Sequence, residues 1–107
     1  MDGEETVKTS KVKPSVVLAL NGDLIRKTVA SFRATNPRVF GSTLHGTDRE
    51  GSDLDILVDI FPGMTLFDLG GLQDELECRL GIPVHLLIPG DLPLKFREKV
   101  LMEARPI

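Results

Sequence analysis

The sequence predicts an α/β or α+β domain, in which helices flank a small mixed β-sheet. Three observations lead to that fold class: one strongly amphipathic helical segment, three short apolar runs bounded by turn residues, and their alternation along the chain. The predicted order is helix, strand, strand, helix, strand, helix, without repeats or low-complexity segments. A chain of 107 residues is long enough for one domain with a modest core.

The N-terminal residues differ in character from the rest of the chain. Residues 1–13 are polar and charged without periodicity, which predicts a flexible arm preceding a domain over residues 14–107. The start lacks the basic and apolar regions of a secretory signal, and no stretch approaches the roughly 18 apolar residues of a membrane span. A single cysteine, Cys78, suits a reducing compartment. We therefore expect a cytoplasmic protein without membrane contact.

The first helix and strand are predicted between residues 14 and 40. Pro14-Ser15 opens a short apolar run, after which Asn21 or Asp23 can cap a helix. Asn36-Pro37 is predicted to end that helix, because a residue before proline avoids helical geometry. Residues 38–40 form a short apolar strand. The helix is predicted from apolar residues at spacings of three and four: Leu24, Ile25, Val29 and Phe32.

The central helix is the clearest element of the sequence. Thr65 and Asp68 have the spacing of a capping box, and Gly81 stands where a left-handed C-terminal residue is expected. Cys78 lies within this apolar pattern and is predicted to be in or near the core. The helix is predicted from leucines at intervals of three and four: Leu66, Leu69, Leu72, Leu76 and Leu80.

The remaining elements surround this helix. Residues 43–52 are predicted to form a polar loop, and residues 54–60 a strand rich in β-branched side chains. A third strand is predicted over residues 83–88. Asp91 is predicted to cap a last helix, which carries Phe96, Val100 and Leu101.

Charge and aromatic content argue against a dedicated nucleic-acid reader. The chain has 13 basic and 16 acidic side chains, for a net charge of −3. It contains no Trp or Tyr and five Phe, so residues for stacking on bases are scarce. We expect no strong nucleic-acid binding.

One constellation carries recognisable chemistry. Gly41-Ser42 follows a predicted strand, and a glycine there lets the backbone approach a phosphate while the serine hydroxyl bonds its oxygens. Ten residues later, Asp53 and Asp55 are separated by one residue, so on a strand both carboxylates point to one face. Two such oxygen ligands suit Mg²⁺, which commonly uses one or two carboxylates plus substrate phosphates. The Gly-Ser pair and the Asp-x-Asp pair are each common alone, and their joint occurrence is a far more specific sign of such a site.

At these residues the sequence resembles the nucleotidyltransferase superfamily of DNA polymerase beta, and most of all the minimal nucleotidyltransferases, which are often antitoxins. The resemblance runs from about Arg38 to Ile107. It rests on Phe40-Gly41-Ser42, Ser52-Asp53-Leu54-Asp55, Leu69-Gly70-Gly71-Leu72 and the closing Lys95-Phe96-Arg97 and Glu103-Ala104. It implies a nucleotidyltransferase fold, ATP or another nucleoside triphosphate as substrate, and Mg²⁺ (or Mn²⁺) held by Asp53 and Asp55.

The sequence departs from the family at two histidines. The family places a third carboxylate where this chain has His85, within Val84-His85-Leu86. Histidine is a poor Mg²⁺ ligand but can act as a general base. His85 is therefore either a catalytic base or a polar strand residue in a weakened or inactive site. His45 stands where many relatives carry Arg, and it either contacts a phosphate or is solvated.

Two further groups are weaker candidates. Asp48, Arg49 and Glu50 are predicted to form a solvated loop tip, although Arg49 could reach a triphosphate. Asp59 shares the alternation of Asp53 and Asp55, but it lies toward the next turn and is predicted to be an exposed strand end rather than a ligand.

The resemblance implies a transfer reaction that needs a second macromolecule. Larger nucleotidyltransferases add a domain for the acceptor, and a chain ending at Ile107 leaves no room for one. The expected partner is a helical HEPN-type toxin, neutralised when AMP is transferred to it from ATP. The alternative is an interaction protein that kept the fold and neutralises its partner by binding alone. His85 favours the second interpretation, and the Gly41-Ser42 and Asp53-x-Asp55 set favours the first.

Overall fold

The structure is a computed structural model that describes residues 12–107. The expected N-terminal arm, residues 1–13, falls almost entirely outside the described residues, and its flexibility stays a prediction. Residues 12–107 form five helices, one 3₁₀ turn and four strands. They are α1 (Pro14–Leu20), α2 (Gly22–Ala30), β1 (Ala34–Phe40), α3 (Gly41–His45), β2 (Leu54–Ile60), α4 (Leu66–Leu80), β3 (Val84–Leu87), the 3₁₀ turn (Pro89–Asp91), α5 (Leu94–Glu103) and β4 (Arg105–Pro106).

The strands form one mixed sheet in the order β3-β2-β1-β4, which confirms the predicted fold class. β2 pairs antiparallel with β1 and parallel with β3, while β4 adds antiparallel to the outer side of β1. The register places Asp55 beside Phe40 on one neighbouring strand and beside His85 on the other. Residues far apart in sequence therefore meet in one row across the sheet.

The hydrophobic core lies on one face of this sheet. Leu54, Ile56 and Val58 alternate along β2 and belong to the core cluster, which also includes residues of α2 and α4. Their neighbours Asp55, Leu57 and Asp59 point to the opposite face because side chains alternate along a strand. The carboxylates of β2 thus lie on the face opposite the main core cluster, which they share with the buried Leu57.

The central helix confirms its predicted signals at both ends. Thr65 and Asp68 form the capping box, with each side chain accepting a backbone N–H of the other residue. Gly81 follows the helix in the left-handed conformation, at φ 73°. Cys78, however, is exposed, so its predicted core position was wrong. The buried face of the helix carries Leu76 and Leu80, and a residue midway between them points the other way.

Side chains from this helix also protect the outer edge of the sheet. The backbone N–H of Val84 donates to Glu77 Oε2 at 2.9 Å, and that of Leu86 donates to Gln73 Oε1 at 3.2 Å. Both donors belong to the edge strand β3. An unpaired edge would be a template for strand addition, and these contacts satisfy its outward N–H groups.

The apolar run after Pro14 forms α1, with proline in its first turn. Two sequence predictions in the N-terminal half need correction. Asn21 occupies the cap position of α2, but its side chain donates to Val17 O and does not cap the helix. Asn36-Pro37 lies inside β1, at a register irregularity between Thr35 and Arg38, with Asn36 at φ 55°. Helix α2 has already ended at Ala30, so the irregularity at Pro37 interrupts the pairing of strand β1.

The C-terminal part differs from prediction in two details. Asp91 lies in the 3₁₀ turn, and Pro93 occupies the N-cap position of α5, so Asp91 does not cap that helix. The short strand β4 was not foreseen, since two residues carry no periodicity. None of the helices between Val12 and Ile107 combines the length and apolarity needed to cross a bilayer.

Candidate active site

The end of β1 approaches β2 more closely than any side chain at position 41 would allow. Phe40 is extended, and Gly41 turns the chain into α3 at φ 74°. A Cβ atom at Gly41 would lie 2.1 Å from Oδ2 of Asp55. Glycine is therefore required here both for the left-handed backbone and for the space beside the carboxylate.

The two carboxylates lie at the start of β2. Asp53 immediately precedes the strand and is exposed, whereas the Asp55 side chain is 20% exposed. Burial raises the pKa of the Asp55 carboxyl above its ordinary value; contact with His85 opposes that rise and the charge of Asp53 adds to it. The two carboxylates are thus separated by one residue at the start of β2, with Asp55 the more buried of the two.

The third member of this group is His85. The parallel register places it beside Asp55, and its Nδ1 lies 3.1 Å from Asp55 Oδ1. The His85 side chain is 53% exposed, so its ring also meets solvent. The structure thus brings His85 into contact with Asp55.

Ser42 begins the loop that joins the two halves of the site. Its carbonyl oxygen accepts the backbone N–H of Thr47 at 2.9 Å, which folds the segment after α3 back toward Ser42. Gly46 ends α3 at φ 74°, in the left-handed conformation. Residues 41–45 thus form one short helical turn, which includes the first three residues of the predicted loop, 43–52.

The loop that follows is anchored through Asp48, which was predicted to be solvated. Asp48 is instead buried, and its Oδ2 accepts the backbone N–H of Ser15 at 2.8 Å in the first turn of α1. Burial alone would raise the pKa of Asp48, but the hydrogen bonds from Ser15 and the charge of Lys13 hold it below its ordinary value. Sequence reasoning missed this contact because its partners are 33 residues apart. Arg49 and Glu50 are exposed, as predicted.

Two other candidates have partners outside the carboxylate group. The Nε2 atom of His45 lies 3.1 Å from Oε1 of Glu103, at the end of α5. Asp59 accepts hydrogen bonds from Arg38 and Asn36, each at 3.0 Å. Asp59 thus belongs to an ion pair of the sheet.

The donor set fits a divalent ion that substrate oxygens complete. Asp53 and Asp55 could supply hard carboxylate oxygens at the start of β2, and the absence of a side chain at Gly41 makes room for the Asp55 carboxylate. Across residues 12–107, no group of three His, Cys, Asp or Glu side chains could hold a metal by itself. Mg²⁺ sites often complete one or two protein carboxylates with substrate phosphates and water.

A mixed sheet with a strand-ending Gly-Ser beside an Asp-x-Asp pair defines a nucleotidyltransferase-fold protein. The sequence profile of the nucleotidyltransferase domain matches residues 24–107, and the chain belongs to that family. The chain is 38% identical over 65 residues to the protein adenylyltransferase MntA of Thermococcus cleftensis, covering 61% of this chain and 66% of the relative. It is also 38% identical over 66 residues to a candidate protein adenylyltransferase of Methanocaldococcus jannaschii, covering 62% and 71%.

Solved structures agree with this assignment. A candidate minimal nucleotidyltransferase superposes with a TM-score of 0.77 at 38% identity, covering 87% of this chain and 95% of that one. A toxin–antitoxin complex with AMP-PNP contains a chain with a TM-score of 0.69 at 22% identity, covering 80% and 71%. At that identity the second likeness shows the fold alone.

Proposed function

We propose that this protein transfers AMP from ATP to a hydroxyl group on a partner protein. The observation that carries the proposal is the close approach of Gly41 to Asp55, with Asp53 two residues before it, at the end of β1 and the start of β2. Relatives with about two fifths identity are named as protein adenylyltransferases, which supports AMP and a protein acceptor. A complex of the same fold with AMP-PNP supports ATP among the nucleoside triphosphates.

The residues divide the work of an in-line displacement. The acceptor oxygen forms a bond to the α-phosphorus, the bond from that phosphorus to the bridging oxygen breaks, and pyrophosphate leaves. Gly41 and Ser42 hold the triphosphate, while Asp53 and Asp55 would hold Mg²⁺, or Mn²⁺, which offsets the phosphate charge. His85 receives the proton of the acceptor hydroxyl, because its ring combines a fixed Nδ1 contact with solvent exposure.

We further propose that the acceptor is a HEPN-type toxin and that the protein acts as its antitoxin. The resemblance to minimal nucleotidyltransferases supports this partner, as does the fold likeness to a chain of a toxin–antitoxin complex. Neutralisation would then be covalent.

A second function is favoured by one observation. At the position of the family's third carboxylate, this chain has an imidazole that contacts Asp55. If that replacement has removed catalysis, the protein neutralises its partner by binding alone.

One experiment separates the two functions. The protein, Mg²⁺ and the product of the neighbouring gene are incubated with ATP labelled either at the α- or at the γ-phosphate. Adenylyl transfer labels the partner from α-labelled ATP only. A stable complex that stays unlabelled with both reagents means that the protein acts by binding, and label from the γ-position means a different reaction.

A further inference from the structure

The number of oxygen ligands in the candidate active site is small. The two candidate metal ligands are Asp53, which precedes β2, and Asp55 within it, and the imidazole of His85 contacts Asp55. Asp59, the next carboxylate along β2, is held in an ion pair with Arg38 at 3.0 Å. Within the described part of the chain, no third carboxylate joins the pair to form a metal-holding group.

The contact between His85 and Asp55 further reduces the number of carboxylate oxygens that are free to bind a metal ion. Nδ1 of His85 lies 3.1 Å from Oδ1 of Asp55, so one of the four carboxylate oxygens already has a hydrogen-bonding partner. The remaining oxygens can share one ion with the phosphates of a nucleotide. Mg²⁺ sites of this kind use one or two carboxylates and draw further ligands from the substrate and water.

A second divalent ion close to the first would meet an unfavourable balance of charge. Two ions bring a charge of +4, of which the two protein carboxylates, Asp53 and Asp55, offset half and leave the rest to the phosphates of the nucleotide. In two-metal sites the ions lie about 3.5–4 Å apart, and further anionic ligands must offset their mutual repulsion. An imidazole brings no negative charge and is a poor ligand for a hard ion.

We infer that this site holds one divalent ion, which enters with the nucleotide, and that His85 is the residue that excludes a second. This inference rests on the proposed function, since it assumes that a nucleotide binds at Gly41 and Asp55. A carboxylate at position 85 would be adjacent to Asp55 in the parallel register and would complete a three-carboxylate group. Residue 85 therefore sets the number of ions.

Manganese titration followed by electron paramagnetic resonance counts the ions directly. The full-length protein is saturated with AMP-PNP, and bound Mn²⁺ is counted for wild type, His85→Asp and the uncharged control His85→Asn. We expect one bound Mn²⁺ per protein–nucleotide complex for wild type and for His85→Asn, and two for His85→Asp. The substitutions are tolerable because position 85 is exposed, and circular dichroism checks the fold.

The outcomes distinguish this inference from the proposed function. Two Mn²⁺ per wild-type complex would overturn the inference and leave nucleotide transfer intact. One Mn²⁺ in folded His85→Asp would refute the part assigned to His85. If wild type retains neither AMP-PNP nor Mn²⁺, the proposed function is wrong and the inference falls with it. If a variant does not fold, the number of Mn²⁺ ions bound per wild-type complex alone decides between one ion and two.

Discussion

Nδ1 of His85 lies 3.1 Å from Oδ1 of Asp55, across the parallel pair of strands β2 and β3. The other carboxylate oxygen, Oδ2, lies against Gly41 at the end of β1. Asp55 thus connects the residue proposed as base to the residue proposed to hold phosphate. Several predictions of function and stability depend on this one carboxylate.

The catalytic part of His85 is tested by rates of AMP transfer measured over about pH 5–9. If His85 receives the acceptor proton, we expect His85→Ala to be about 10²–10⁴-fold slower than wild type. If His85→Ala matches wild type at every pH, His85 has no catalytic part. His85→Asp tests the alternative, in which position 85 has lost a metal-binding carboxylate. In that case the restored carboxylate would raise the rate of AMP transfer by binding metal.

In the absence of metal, Asp55 is expected to lower the free energy of unfolding of the protein. Burial raises its pKa in the folded protein, so folding favours the protonated form and the ionised carboxylate is destabilising at neutral pH. Without divalent ions, Asp55→Asn should therefore raise the free energy of unfolding by about 1 kcal/mol, or about 4–8 °C in Tm. The difference should shrink as the pH falls below the raised pKa and should vanish below the ordinary value of 3.8.

Thermal or urea unfolding at several pH values measures this difference. A variant that is several kcal/mol less stable than wild type at neutral pH would show that Asp55 is structural. The assignment of the residue to a metal-and-nucleotide site would then be wrong.

Gly41→Ala and Gly46→Ala form a matched pair. Both glycines have φ 74°, so alanine costs about 1–2 kcal/mol of backbone strain at either position. A Cβ at Gly46 meets nothing within 4 Å, whereas one at Gly41 would lie 2.1 Å from Asp55 Oδ2. We expect both variants to lose stability, but only Gly41→Ala to lose nucleotide binding. Equal binding by the two variants would contradict the assigned role of Gly41.

Asp48→Ala tests the anchor between the loop and α1. Loss of the acceptor for the Ser15 N–H should lower the free energy of unfolding by about 1–2 kcal/mol at neutral pH. The folded protein holds the pKa of Asp48 below 3.8, so this stabilisation is present above that pH and is lost as the pH falls through the lower folded value. Chemical unfolding at pH 7 and near pH 3 measures the change. An Asp48→Ala variant as stable as wild type at pH 7 would show that the contact is unimportant.

Local rules account for what the sequence predicted well. The Thr65–Asp68 capping box, the left-handed Gly81 and the spacing of Asp53 and Asp55 all depend on residues within a few positions of one another. These rules apply whatever the rest of the chain does, and the elements they define were found in the structure.

Long-range contacts account for most of what the sequence did not show. Asp48 is buried because α1 brings the Ser15 N–H to it, and nothing near Asp48 in sequence signals that partner. The pair Asn36-Pro37 predicts a helix end, but pairing with β2 and β4 holds the neighbours of Pro37 in a strand. The contact between His85 and Asp55 follows from strand register, which the sequence alone left open.

The most direct test of the central claim is the affinity for AMP-PNP, measured by calorimetry with and without Mg²⁺. We compare wild type with Asp53→Asn and Asp55→Asn, and use Asp74→Asn on the exposed surface of α4 as a control for loss of one charge. Wild type and Asp74→Asn should bind only when Mg²⁺ is present, and the other two variants should lose that binding while remaining folded. Unchanged Mg²⁺-dependent binding in both Asp53→Asn and Asp55→Asn would contradict the account, because the nucleotide would then bind elsewhere.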